Sequence, residues 1–176
     1  LQKAKWDEAF DKRQNYLFYP HEEVIRFVSK RFRRRVGRAE YVDICPFQPA
    51  PRSLDLGCGI GRHVIYLGSL GFDSYGIDIS SHAVQSARDW AAEEGFCKPD
   101  QHILEGSAGE LPWEDDFFRC VVSHGVLDSM SFAVARQAIS ELDRVLARDG
   151  LAYIDLISSD NSNNIGFLGE KVMKGD

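Results

Sequence analysis

The chain lacks any run of about 18 apolar residues, the length a membrane-spanning helix requires, and the reading is of a protein that crosses no membrane. Its first residues, LQKAKWDEAFDKRQ, are charged and have no apolar stretch of the kind that drives secretion. Cationic excess is missing too. The formal net charge is -6, which argues against a general nucleic-acid binder, because phosphate contacts need a positive surface. Four cysteines (Cys45, Cys58, Cys97 and Cys120) form no C-x-x-C pair, and the five histidines show no ligand spacing beside them. No metal site and no disulfide framework are expected, and reduced thiols in the cytoplasm are the simple reading.

What is present fits one globular domain: 176 residues, 44% hydrophobic and 27% charged. Residues 22–36 read as a helix with Val24, Ile25, Phe27, Val28 and Phe32 on one side. Within and just after it, KRFRRRVGR places six cations in nine residues, most simply a solvated helix face, with an anionic acceptor or RNA as the alternative partner. The proline-containing YVDICPFQPAPRS then reads as a connector. From residue 52 onward strands and helices alternate. RSLDLG, DSYGIDI, QHILEG, FFRCVVSHG and GLAYIDLIS read as strands, with helices over 61–70, 81–95 and 131–147. That alternation predicts an α/β fold with a parallel sheet and right-handed crossovers. The nearly continuous apolar content of 118–122 and 151–157 predicts strands buried on both faces. The polar tail and the initial Leu suggest a fragment of a longer chain.

The chemistry concentrates in RSLDLGCGIGRHVIYLGSLGFDSYGIDIS. A strand runs into Gly57, Gly59 and Gly61 and then into a helix, a turn in which glycine lets backbone N–H groups come close to a ligand. Asp78 ends the next strand, 17 positions after Gly61, where a carboxylate accepts hydrogen bonds from ribose hydroxyls. The spacing is G-x-G-x-G rather than the dinucleotide fingerprint G-x-G-x-x-G. Asp55, two residues before the first glycine, repels pyrophosphate and suits a ligand carrying an ammonium or sulfonium. Cys58, between two glycines, reads as merely small.

These residues resemble the class I S-adenosylmethionine-dependent methyltransferases. LDLGCGIGRH is similar to the family's first motif and YGIDIS to its second; EGSAGELPW, FFRCVVSHGVLDSM and ELDRVLARDGLAYIDLIS resemble the later ones, over about 52 to 158. The resemblance implies a Rossmann-like three-layer sandwich with a mainly parallel sheet, five of the family's seven strands being placed here, plus N-terminal helices. It divides the chain into an N-terminal helical cap or lid, 1–50, and a cofactor-binding domain, 51–176, incomplete at its C-terminal end. The implied cofactor is S-adenosylmethionine, with S-adenosylhomocysteine as product: Asp55 and the turn Gly57, Cys58, Gly59 and Gly61 at its methionine part, Asp78 at the ribose, Ile79 on the adenine with Ser107 and Ala108 at its edge. Ser107 stands where the family often has an acid. Ser123 and His124 lie beside the expected methyl position.

His124 is the candidate base, since imidazole titrates near neutrality, against a role in contacting cofactor or backbone only. Asp128 is an acceptor-side carboxylate or a cap for the helix beginning near Ser131. His63, on the first helix after the turn, reads as packing or surface. Tyr16, Tyr19 and His21, in YLFYPHEEV, are candidate substrate contacts or a hydrophobic brace. SHGVLD has no Asn/Asp-Pro-Pro-Tyr segment, which disfavours planar nitrogens of DNA and protein and leans toward a small-molecule acceptor with an O, N or C nucleophile. The competing readings are a non-catalytic binder of the same cofactor, a nicotinamide-dependent oxidoreductase and an aminopropyl transferase.

Overall fold

A computed structural model describes residues 2–13 and 16–157. In chain order the elements are α1 (Gln2–Asp11), α2 (Glu22–Arg31), β1 (Arg33–Arg35), β2 (Tyr41–Asp43), β3 (Arg52–Leu56), α3 (Arg62–Ser69), β4 (Asp73–Asp78), α4 (Ser81–Glu93), α5 (Pro99–His102), β5 (Ile103–Glu105), β6 (Phe118–Ser123), a 3-10 turn (Leu127–Ser129), α6 (Phe132–Val145) and β7 (Leu146–Ile154). Five strands form one parallel sheet in the order β5-β4-β3-β6-β7. The order reverses beside β3, so the loops leaving the carboxyl ends of β3, β4 and β6 diverge and open a crevice.

Alternation of side chains on the strands divides the core between the two faces of the sheet. Leu54, Leu56, Ile77 and Val121 pack with Leu111, Trp113, Ala138, Leu142 and Val145, the last three from α6. On the opposite face Cys120 and Val122 join Val24, Val28 and Phe32 from the α2 segment and Leu67, Leu70 and Phe72 from α3 and its exit. Val64 and Ile65 meet Val84, Ala87 and Ala91 of α4. Each fully buried aliphatic side chain contributes about 1.5–3 kcal/mol relative to exposure. The result is the three-layer α/β arrangement expected from the alternating pattern. No helix among the described residues is long and apolar enough to cross a membrane.

Four expectations change. The helix read over 22–36 stops at Arg31, because Phe32 enters the core with 1% exposure and its carbonyl accepts from Ile44 N–H at 2.7 Å. The three following arginines form β1, antiparallel to β2 inside the supposed connector. Arg33 bonds Asp43 and the Leu70 carbonyl and lies 3.8 Å from the Phe47 ring centre, so the cationic run is no helix face. At the other end α6 yields at Val145 and β7 starts at once, with a register irregularity that carries the pairing from Phe118↔Leu146 to Cys120↔Leu151. Finally, β7 pairs only with β6 in the described sheet, so it is an edge rather than a strand buried on both faces: Leu151 and Ile154 are exposed.

Candidate functional site

The crevice holds a cavity of about 310 Å³. The turn after β3 forms its floor, and the positions of its glycines are sterically required. Gly57 has φ 69°, and a Cβ there would stand 2.4 Å from Val126 Cγ2. Gly59 has φ 54°, and a Cβ there would meet the α1 residue Phe10 at 3.4 Å. L-residues with side chains rarely adopt such angles. Gly61 is the residue before α3, where a Cβ would press on Ala87 at 3.0 Å.

The N–H groups of the three glycines and of Cys58 already have partners within the protein, whereas the sequence reading set them toward a ligand. Gly57 and Cys58 both donate to the Ile77 carbonyl, at 2.8 and 3.0 Å, and Gly61 donates to the Cys58 carbonyl. Gly59 N–H donates to Asp78 Oδ2 at 2.9 Å, while Asp78 Oδ1 accepts from Ser80 N–H at 2.9 Å. Buried donors are satisfied within the protein, so the glycines supply close approach rather than free donors. Burial pushes the Asp78 carboxyl above the usual carboxylate range, against the lowering effect of the Ser80 and Gly59 N–H groups. Each of its oxygens keeps a second lone pair, and Asp78 lines the cavity.

Ile77, Ile79, Gly106, Ser107 and Ala108 line the same cavity on the β4–β5 side. Ser107 Oγ accepts from Gly109 N–H at 3.2 Å. Cys58 also lines it, but burial drives its thiol pKa far up, so it is inert, in keeping with a merely small residue.

Asp55 is placed differently from the expectation. It does not line the cavity; it lies behind His63, Oδ1 to Nδ1 3.4 Å, with its side chain 2% exposed and Oδ2 without a partner. His63 Nε2 in turn accepts from the His21 N–H at 3.2 Å, which leaves the ring proton on Nδ1, facing Asp55. His63 is thus buried, but on the cavity wall rather than on a free surface.

The β6–β7 side gathers a second acid. Register pairs Ser123 with Ile154, so the following residues, His124 and Asp155, leave the sheet side by side. His124 Nδ1 bonds Asp155 Oδ2. Gly125 N–H donates to Asp155 Oδ1 at 2.7 Å and Tyr153 Oη–H to Oδ2 at 3.1 Å. Burial raises the Asp155 carboxyl, but the Gly125 N–H and His124 outweigh it and hold the pKa below the usual range. The His21 ring stacks on His124, centroids 3.9 Å apart. Desolvation, with His124 beside it, keeps His21 below the ordinary imidazole pKa.

Four further candidates stand apart from the cavity. Asp128 accepts from Ile157 N–H at 3.2 Å, its Oδ1 is unpartnered, and the cap of α6 is Ser131 instead. Ser123 is buried with an unpartnered hydroxyl. Tyr16 bonds Ser86 on α4 at 2.8 Å and Tyr19 is 86% exposed.

Sequence reasoning missed other wall residues. Trp6 and Phe10 of α1 cover the cavity. α1 is tied down on both sides, by Asp7 accepting from Ser80 Oγ–H at 2.7 Å, by the Lys3–Glu105 ion pair, and by Gln2 bonding the Ser129 carbonyl at 2.9 Å. Arg62, half-buried on the wall, has its pKa lowered by desolvation. An arginine directly after the third glycine, at the first position of a helix pointing into the crevice, was an available signal.

Known proteins agree with this architecture. Residues 54–154 match a family model described as a methyltransferase domain. YodH of Bacillus subtilis, named an uncharacterized methyltransferase, is 32% identical over 106 residues, 60% of this chain and 42% of its own. The Synechocystis methyltransferase sll0829 is 29% identical over 144 residues, 78% of this chain and 65% of its own. This chain therefore spans less than two thirds of the length of these relatives. Among solved structures, the PH0226 protein of Pyrococcus horikoshii superposes with a TM-score of 0.52 at 29% identity, over 56% of this chain and 42% of that one. A methyltransferase structure from Methanococcus maripaludis shares the fold, TM-score 0.62 at 22% identity, over 87% of this chain and 63% of that one. With the glycine turn, the buried acid and the family match on one sheet edge, the chain belongs to the methyltransferase-domain family of class I S-adenosylmethionine-dependent methyltransferases.

Proposed function

We propose that the chain carries the cofactor half of an enzyme that methylates a small molecule at an O, N or C nucleophile, with S-adenosylhomocysteine as the second product. The observation that carries this is Asp78: a buried carboxylate at the end of β4, bonded to the glycine turn and lining the cavity. S-adenosylmethionine fits the residues present, since Gly57 and Gly59 line the cavity with no side chain of their own and Asp78 has lone pairs left for hydroxyl donors.

When bound, the cofactor supplies a methyl group already activated on a sulfonium, and the chain's tasks are holding, aligning and excluding water. Asp78 takes the ribose. Ile79, Ser107 and Ala108 form the adenine side. Arg62 is the counter-ion for the carboxylate end, and Asp55, behind His63, contributes negative charge beneath the cationic end. Trp6 and Phe10 on α1 close the cavity as a lid. Acceptor activation falls to His124 and Asp155, with His21 beside them. Four free cysteines support a reducing, cytoplasmic setting.

The test is transfer of a labelled methyl group from S-adenosylmethionine in a cell extract, followed by size separation. Label in the low-molecular-weight fraction is the expected result; label confined to protein or nucleic acid contradicts the proposal.

A further inference from the structure

The sequence spacing gives no metal motif because the groups come from three distant segments. The fold nevertheless brings His21, His124 and Asp155 together, one ligand atom from each lying within 4.8 Å of the others. We propose that these three side chains form a binding site for one borderline divalent ion, Zn²⁺ or its neighbours Co²⁺ and Ni²⁺, at the carboxyl ends of β6 and β7, where His124 reaches the cavity.

The donor chemistry selects the ion class. Two imidazoles and one carboxylate suit zinc and the later first-row metals, whereas magnesium and calcium favour oxygen alone. Three protein ligands leave a coordination position open, the arrangement of catalytic rather than structural sites. Donors at about 2.1 Å from a common ion stand about 3–3.5 Å apart, so the His124–Asp155 pair must open to admit the ion while His21, already within 4.8 Å, supplies the third donor.

The support around the ligands is already in place. Asp155 is oriented by Gly125 N–H and Tyr153 Oη–H, at 2.7 and 3.1 Å, the kind of outer hydrogen bonds that fix ligating carboxylates. His63 holds the backbone of His21 at 3.2 Å and is itself held by Asp55, so His63 is not a ligand but a support for one. His21 caps α2 through Nδ1, yet that bond to Glu23 N–H is 3.4 Å long, and little is lost if the ring changes tautomer to offer a nitrogen. Between His124 Nδ1 and Asp155 Oδ2 an ion takes the place of the shared proton, which leaves to solvent.

His124 and the cavity are common to this site and to the methyl-transfer reading. If that reading holds, the open position faces the acceptor: a hydroxyl or thiol coordinated there releases its proton to water at a lower pH than when free, and the resulting anion is the nucleophile. Metal binding itself does not depend on that reading and is measured without it.

The experiment is calorimetric titration of Zn²⁺ into the untagged, chelator-treated chain at pH 7.5, with Co²⁺ absorption as a second readout. One ion per chain at micromolar affinity or tighter is expected. H21A and H124A should weaken binding by more than about 100-fold, beyond the range of outer-sphere changes, and Tyr153→Phe by about tenfold. His102→Ala, a histidine bonded to Asp73 away from the cavity, leaves it unchanged. Circular dichroism of each variant confirms folding, and H21A alters a residue outside the sheet. Absence of saturable one-to-one binding, or affinity in folded H21A and H124A equal to that of the unsubstituted chain, overturns the proposal. S-adenosylmethionine binding by the metal-free chain is measured in parallel, so failure of the metal site and failure of the cofactor reading give separate results.

Discussion

Gly59 N–H donates to Asp78 Oδ2 at 2.9 Å, so the turn after β3 and the acid ending β4 are one hydrogen-bonded unit. The acid positions the turn, and the turn supplies the donor that lets a carboxylate with 9% exposure persist there. A ribose adds hydroxyl donors to the same oxygens.

That burial sets a pH dependence. The Asp78 pKa in the free protein lies above 3.8, chiefly through desolvation. Hydroxyl donors favour the ionised form, so S-adenosylmethionine affinity should rise with pH through this raised pKa and fall as the group protonates, at a higher pH than for an ordinary aspartate. Calorimetry across a pH series checks it; an affinity flat down to pH 4 contradicts it.

Gly57→Ala should destabilise the fold by about 1–3 kcal/mol, from the left-handed φ and the clash with Val126. Val126→Ala in the same chain removes the two closest contacts, leaving Cβ at 3.2 Å, but not the φ cost. The double variant should therefore recover part of the loss in urea unfolding, and no recovery would place the whole cost in the backbone.

Glu141 and Arg144 hold the loop that carries Ser107 and Ala108. Leu111 N–H donates to Glu141 Oε2 at 2.7 Å, and Arg144 bonds the Leu111 and Trp113 carbonyls at 3.0 and 2.7 Å. The Arg144 guanidinium pulls the Glu141 carboxyl down from 4.5 to about 2. Because the folded pKa is the lower one, this stabilisation is complete above pH 4.5 and is lost as pH falls toward 2. Glu141→Gln should cost about 1–3 kcal/mol at pH 7 and little near pH 2, read by denaturant unfolding at both.

Arg62→Ala should weaken S-adenosylmethionine binding by about tenfold or more through loss of a half-buried charge partner. Adenosine, which lacks the carboxylate, should bind both proteins alike. An equal loss for adenosine would show that Arg62 acts on the cavity as a whole.

The alternation of strands and helices from Arg52 onward was legible because each strand carries its own apolar run and each helix its own period. The acid at Asp78 was legible because it ends a strand. Asp155 directly follows a strand at the same edge of the sheet, yet its partners His124 and Gly125 depend on sheet register, which a linear reading does not contain. Arg33–Arg35 look helical by continuity with α2, and only the long-range pairing with Tyr41–Asp43 turns them into a strand. Asp55 reads as a ligand from its spacing, but the inward side of β3 points it at His63.

The central claim is that the Gly59–Asp78 unit holds an adenosyl sulfonium donor. Calorimetric titration of the chain with S-adenosylmethionine and NAD, beside Asp78→Ala, tests it most directly. The account predicts binding of the first ligand, none of the second, and a loss of about 10–100-fold in the variant, the worth of hydrogen bonds to a charged group; unchanged affinity in Asp78→Ala would contradict it.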